Sequence, residues 1–233
     1  MNRSSNSRKR PKETAVARPG TASRLSSDQA TSSAATRQAL VEAAIGALRD
    51  EGFAGASARS IAARAGCNQG LVFYHFGSVV GLLLAALDEV SELRLARYST
   101  AVGGARGPSE LVRVAADIFR EDLDAGYVTV LAELIAGASS TPGLGAELAK
   151  RLAPWTAFAE QAIRDALVDS PLGTLLSGPT IAHAIVALYL GLDMLTQLEA
   201  DRRPAESLFA EAQRLAALFE VLSATVPDPK EKP

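Results

Sequence analysis

Between Arg59 and Ser78 the chain spaces its polar and aromatic side chains as contact with a nucleic acid would need. Arg59, Asn68, Gln69, Tyr74, His75 and Ser78 can donate or accept hydrogen bonds, with Gly70, Leu71 and Phe73 set among them. Arginine and serine reach phosphate oxygens, whereas asparagine and glutamine offer the paired donor and acceptor that match a base edge in the major groove. The elements that must hold these groups are two short helices around Gly66. In the first, Ile61 and Ala65 lie one turn apart on one face with Ala62 beside them, and Ser57 is placed to cap the N-terminus. Gly66 ends that helix, because glycine takes the left-handed geometry of a helix end at little cost. The second helix starts near Asn68, buries Val72 and Phe76 at i and i+4, and turns Gln69, Gly70, Phe73 and Tyr74 outward. A helix-turn-helix accounts for two outward aromatics on so short a helix: the first helix braces against the DNA backbone while the second meets base edges. On spacing alone the alternative is an ordinary αα-hairpin with its aromatics packed on neighbours.

The wider order of parts separates these readings. Ala43-Ala44 through Leu48, then Glu51-Gly52-Phe53, then Ser57 to Gly66, then Gly70-Leu71-Val72-Phe73-Tyr74-His75-Phe76, and finally Gly77-Ser78 with Leu82-Leu83, follow one another between Thr36 and Leu83. This stretch, about a fifth of the chain, resembles the DNA-binding domain of the TetR family of transcriptional regulators. The resemblance implies an all-α protein: an N-terminal three-helix helix-turn-helix headpiece, then a C-terminal helical domain for ligand binding and dimerisation. It also implies a dimeric repressor on a palindromic double-stranded operator, released by a small effector. Two positions depart from the family pattern, with Phe73 where tyrosine is usual and Val79 where lysine is usual. Each departure removes a phosphate contact.

Composition fits a two-part protein. Its 233 residues can bury a substantial core, and 48% hydrophobic content rich in Ala and Leu favours helices. Cys67 is the only cysteine, so no intramolecular disulfide forms and a reducing cytoplasm fits. It reads as a small turn residue, a redox sensor being the alternative. Charge divides unevenly: residues 1–79 carry 11 Lys+Arg against 5 Asp+Glu, a net +6, and residues 80–233 carry 13 against 21, a net −8. The polyanion therefore belongs on the N-terminal side. We expect a disordered basic arm over 1–33, the helix-turn-helix domain over 34–80, the ligand-binding and dimerisation domain over 81–225 and a flexible tail over 226–233. The arm holds seven basic residues, Arg3, Arg8, Lys9, Arg10, Lys12, Arg18 and Arg24, against Glu13 and Asp28. It either tracks DNA or is an inert extension.

Beyond the headpiece, breakers divide the chain into helices. One runs from about Ser78 to Tyr98; Ser109 caps the next, which ends near Gly126; a third spans Val128 to Ala138. The helix from Leu144 to Val168 contains Pro154, which should kink or split it, and Pro179 and Pro204 open the last two. In those, Ile181, Ile185, Leu188, Leu192 and Leu195 step 4,3,4,3, as do Leu208, Ala212, Leu215, Phe219 and Leu222. This is the seam of packed antiparallel helices. We read a two-fold dimer with a four-helix bundle, against the alternative that both helices are central in the monomer core. The eighteen uncharged residues Leu175 to Leu192 contain Pro179 and His183 and do not read as a membrane span.

The two histidines, His75 and His183, show no metal-ligand spacing, and no nucleophile elbow or phosphate loop is present, so we expect neither an enzyme nor a cofactor. For an effector site the apolar candidates are Phe119, Tyr127, Leu131, Trp155, Phe158, Tyr189 and Met194. Glu133, His183 and Asp193 are the polar anchors. Their apolar weight fits a hydrophobic or aromatic ligand of low charge, although each residue could equally serve the core. A fully packed body would favour a DNA-binding dimer without an effector, controlled by a protein partner or by abundance.

Overall fold

The computed structural model describes residues 21–168 and 177–224. Among them lie nine helices and no strand: α1 (Thr21–Gly55), α2 (Ala58–Arg64), α3 (Gly70–Phe76), α4 (Val79–Val102), α5 (Pro108–Ala125), α6 (Tyr127–Ala138), α7 (Leu144–Ala166), α8 (Gly178–Glu199) and α9 (Arg203–Ala224). The all-α class and the N-terminal helix-turn-helix are as expected.

The headpiece forms where the sequence carries its capping and apolar signals. Ser57 accepts the N–H of Ser60 at 3.1 Å, and Ser60 returns the contact to the N–H of Ser57 at 3.0 Å, a capping box that starts α2. Gly66 has φ +66°, the left-handed geometry the turn needs. Ile61 and Val72 are fully buried beneath Leu40, Ala44 and Leu48 of α1. α4 belongs to both halves of the molecule. Its first turns bury Leu82, Leu83 and Ala86 in the headpiece core, and its later turns carry Val90, Arg94 and Tyr98 into the body. The headpiece core continues into the body through Val130, Leu131 and Leu134 of α6 and Leu144 and Leu148 of α7.

Several expectations are corrected. The arm was expected to lack structure through residue 33, but α1 is already helical from Thr21. Residues 1–20 and the C-terminal tail from 225 lie outside the described residues. Ser109 does not cap α5; Gly107 stands at the N-cap, and Ser109 donates both its N–H and its hydroxyl, each at 2.8 Å, to the Glu220 carboxylate of α9. That carboxylate sits where the first turn of α5 leaves unpaired N–H groups, which is why the helix starts without its own side-chain cap. Pro154 does not split α7, which runs as one helix from Leu144 to Ala166.

The two 4,3,4,3 seams do not close on each other within the protomer. α8 packs mainly on α7 and α9 mainly on α5, and the two make little mutual contact. The alternative that both are central in a monomer core is therefore excluded. Ile185, Leu188, Leu195, Leu208, Leu215 and Leu222 are exposed, whereas Ile181, Leu192, Ala212 and Phe219 are half-buried. By length and composition α8 is apolar enough to cross a membrane, and apolar side chains of both α8 and α9 are exposed.

Candidate nucleic-acid interface and body cavity

α3 has one inward and one outward side. Val72 is fully buried and Phe76 half-buried, while Phe73 is 52% and Tyr74 77% exposed. Asn68 and Gln69 are exposed at its start, together with Gly70; Leu71 is half-buried on the core. Asn68 Oδ1 accepts the Gly70 N–H at 2.8 Å, so that side chain orders the first turn. Tyr74 and His75 meet edge to face, 4.9 Å between ring centroids. Ser78 accepts the Gly81 N–H at 2.9 Å and thereby caps α4. Arg59 is exposed on α2 and forms no ion pair among the described residues, whereas Arg64 is held by Asp50 at 2.7 Å and Glu51 at 2.9 Å. The Arg37 guanidinium lies 5.1 Å above the Phe76 ring. Sequence reading missed it because it falls ahead of the first apolar stripe of α1. The nine residues expected at a nucleic-acid surface thus cluster on α2, α3 and the turn into α4.

The body contains a cavity of about 420 Å³ between α4, α5, α6, α7, α8 and α9. Leu131, Trp155, Phe158 and Tyr189 line it as expected. The other six candidates do not. Phe119 is buried behind Tyr189, 5.4 Å between ring centroids, and Tyr127 instead faces the Arg94 guanidinium at 5.7 Å. His183 and Met194 point outward and are exposed. Asp193 is buried behind the wall. Glu133 serves elsewhere: its carboxylate accepts the Phe53 N–H at 2.8 Å, tying α6 to the end of α1. Five residues assigned to the seam, Ile185, Leu188, Leu192, Leu208 and Ala212, form one side of the cavity, because an apolar helix face reads alike whether it meets a cavity or a partner.

The polar end of the cavity was missed. Arg94 lines it and is 92% removed from solvent. Its Nε reaches the Tyr98 hydroxyl at 3.1 Å and Asp122 Oδ1 at 3.2 Å, and its Nη2 pairs with Asp122 Oδ2. Tyr98 and Tyr189 both donate to the same Asp122 carboxylate. Burial disfavours the charge on Arg94, but Asp122, Tyr98 and Tyr189 together outweigh it, so its pKa is raised. Burial likewise raises the pKa values of the Tyr98 and Tyr189 hydroxyls and keeps them as donors. Trp155 stacks its ring 4.9 Å from the guanidinium. The signal was present in the sequence: Arg94 and Tyr98 interrupt the apolar stripe Leu83, Leu87, Val90 of α4 at positions that face inward.

The headpiece meets the body around α6. Gly52 has φ +71° and its missing side chain leaves room for the Glu133 carboxylate, since a Cβ there would stand 2.9 Å from Oε2. At Gly137 a Cβ would stand 2.5 Å from the Phe53 ring. Arg49 donates to the Ala125 carbonyl at 3.1 Å, satisfying a terminal carbonyl of α5.

Residues 40–86 match the sequence profile of the bacterial regulatory proteins, tetR family. The HTH-type transcriptional regulator UidR of Escherichia coli K12 is 24% identical over 179 residues, covering 77% of this chain and 89% of its own length. A TetR-family member from Streptomyces coelicolor A3 is similar in structure with a TM-score of 0.57 and 26% identity, over 76% of this chain and 97% of that one. The regulator FadR of Bacillus subtilis, in complex with stearoyl-CoA, gives a TM-score of 0.66 at 13% identity, over 77% and 96% of the two chains. The family profile falls on the residues that build the helix-turn-helix, so residues 40–86 form a TetR-family DNA-binding domain, and the likeness of fold to members of that family extends through the body.

Proposed function

We propose that the chain is a dimeric repressor whose grip on a palindromic operator is released when a small apolar or aromatic molecule occupies the body cavity. The N-terminal part of α3 enters the major groove, with Gln69 and Tyr74 at base edges and Gly70, Leu71 and Phe73 in close apolar contact. Arg59, Asn68, His75 and Ser78 contact phosphates on either side. The exposed apolar faces of α8 and α9 from two copies form the dimer, setting two headpieces at a fixed spacing. That use of the surface also accounts for the apolar run of α8 without a membrane.

One observation carries the regulatory part. α6 contributes Val128 and Leu131 to the cavity wall, and two residues further on Glu133 holds the Phe53 N–H, with the Phe53 ring against Gly137. A ligand that moves α6 therefore acts on the end of α1 and on the orientation of the headpiece. Such a ligand weakens DNA binding by no more than its differential affinity for the two arrangements. The open cavity also argues against control by a protein partner or abundance alone, the reading that a fully packed body would have favoured.

Selection of bound DNA from a random pool, followed by footprinting, tests the operator. A two-half-site footprint is expected, and a single protected half-site defeats the dimer. Glu133→Gln, which keeps the shape but weakens the hold on Phe53, should leave operator affinity within a few-fold while reducing the release caused by a cavity ligand. Unchanged release would remove α6 from the route.

A further inference from the structure

At the polar end of the otherwise apolar cavity one guanidinium reaches the wall, with two buried carboxylates behind it. Asp122 is saturated, accepting from Arg94, Tyr98 and Tyr189. Asp193 is 1% exposed, within electrostatic reach of both Asp122 and Arg94; its Oδ2 accepts from Gln197, and its Oδ1 has no hydrogen-bond partner. Neither carboxylate lies on the cavity wall; the groups that do are Arg94, Tyr98, Tyr189 and Ser91. The two tyrosine hydroxyls spend their protons on Asp122, and Arg94 Nη1 makes no hydrogen bond among the described residues. The donors left to the cavity are therefore Arg94 Nη1 and the Ser91 hydroxyl, and of these Arg94 is the charged and stronger one, backed by a net negative surround.

Three ligand chemistries compete for that position. A carboxylate or phosphate would meet Arg94, but it must shed its hydration in an apolar space backed by two carboxylates for one guanidinium, so its charge is uncompensated. A cation meets Arg94 first, while the carboxylates that would favour it lie behind the wall. A neutral acceptor takes the Nη1 donor without adding charge, and the apolar remainder of the cavity supplies burial.

Resting on the reading of the cavity as the effector site, we propose that its ligand is an uncharged amphiphile: an apolar chain or ring system with one carbonyl-type oxygen, received by Arg94 Nη1. Burial pushes Asp193 up to about 6, so near neutral pH it still carries negative charge and continues to disfavour anions.

The only tryptophan of the chain, Trp155, stands in the cavity wall against Arg94, so its emission reports occupancy. Decan-2-one, decanoate and decylammonium, titrated below their aggregation limits into the full-length protein at pH 7.5, offer one apolar chain with three headgroup charges. Decan-2-one should shift the emission and bind at least about ten-fold more tightly than either ion. Ala159→Phe, which fills the cavity, should abolish the response. Asp193→Asn should narrow the gap between ketone and decanoate several-fold while leaving ketone affinity unchanged. Decanoate or decylammonium binding as tightly as the ketone overturns the charge assignment and leaves the effector cavity standing. An unchanged gap in Asp193→Asn also overturns it, because the carboxylate would then not set the selectivity. No response to any of the three up to millimolar concentration overturns both the assignment and the effector reading.

Discussion

The headpiece buries Leu40, Leu48, Ile61 and Val72 almost completely, and most of what it exposes on α3 is polar or aromatic. The body leaves Leu188, Leu195, Leu215 and Leu218 more than half exposed and holds a cavity of about 420 Å³. The contrast is one of completeness. Two short helices, α2 and α3, close the headpiece core against α1 and the start of α4, with α6 and α7 beneath it, so that its outer face is free for recognition. The body leaves apolar side chains of α8 and α9 exposed, and under the proposed function a second copy covers them and an effector occupies the cavity.

The sharpest way to break this comparison is to charge the exposed body face. Leu215 is 67% exposed and does not line the cavity, so Leu215→Glu should leave the protomer folded by circular dichroism while sedimentation shows a monomer. Operator affinity should then fall by at least about 100-fold, the loss expected when two tethered half-site contacts become one. A dimer that persists in this variant would mean that the apolar faces of α8 and α9 serve something else.

A second test asks whether the headpiece face works alone. Removing residues 1–20, which carry six of the seven basic residues of the arm, should flatten the slope of log affinity against log salt by several units per dimer, at about 0.9 per phosphate contact. Sequence preference should be unchanged, and Val79→Lys should restore part of the slope. Equal slopes with and without the segment would assign the whole electrostatic footprint to α2 and α3.

Gln69→Ala sharpens the headpiece half. The side chain is exposed at the N-terminus of α3, so thermal stability should hold while preference at one base position weakens by about 1–3 kcal/mol in a binding-site selection. An unaltered preference would move the base contact to another residue.

The smallest expected effect lies in the body's polar end. Burial raises Asp193 from 3.8 to about 6, so the native state favours its protonated form. That preference contributes stability below its usual value and loses it as pH rises through about 6, leaving a buried charge that strains the fold at higher pH. Asp193→Asn should therefore raise Tm by roughly 2–4 °C at pH 8, a gain that disappears by about pH 4. A pH-independent difference in thermal melts would trace the effect to packing.

Local chemistry was legible in the sequence where a single residue decides a local geometry. Ser57 with Ser60, Gly66, Val72 against Tyr74, and Pro179 and Pro204 at helix starts all follow from capping, left-handed turn geometry and a 3.6-residue period. The helix-turn-helix needed those signals together with the resemblance of residues 36–83 to the TetR family, which also implied the all-α class. Tertiary structure decided whatever depends on residues distant in the chain. Nothing in the periodicity of α8 separates a cavity wall at Leu192 from an exposed face at Leu195, and nothing local sends Glu133 to the Phe53 N–H rather than to a ligand. Ser109 looks like a cap until Glu220, 111 residues later, takes its N–H. Asp122 cannot be paired with Arg94 across 28 positions without the helix crossing that brings them together. Helical spacing fixes which side of a helix is apolar, whereas the crossing of α4, α5 and α8 fixes what that side meets, and only the second places charge beside a cavity.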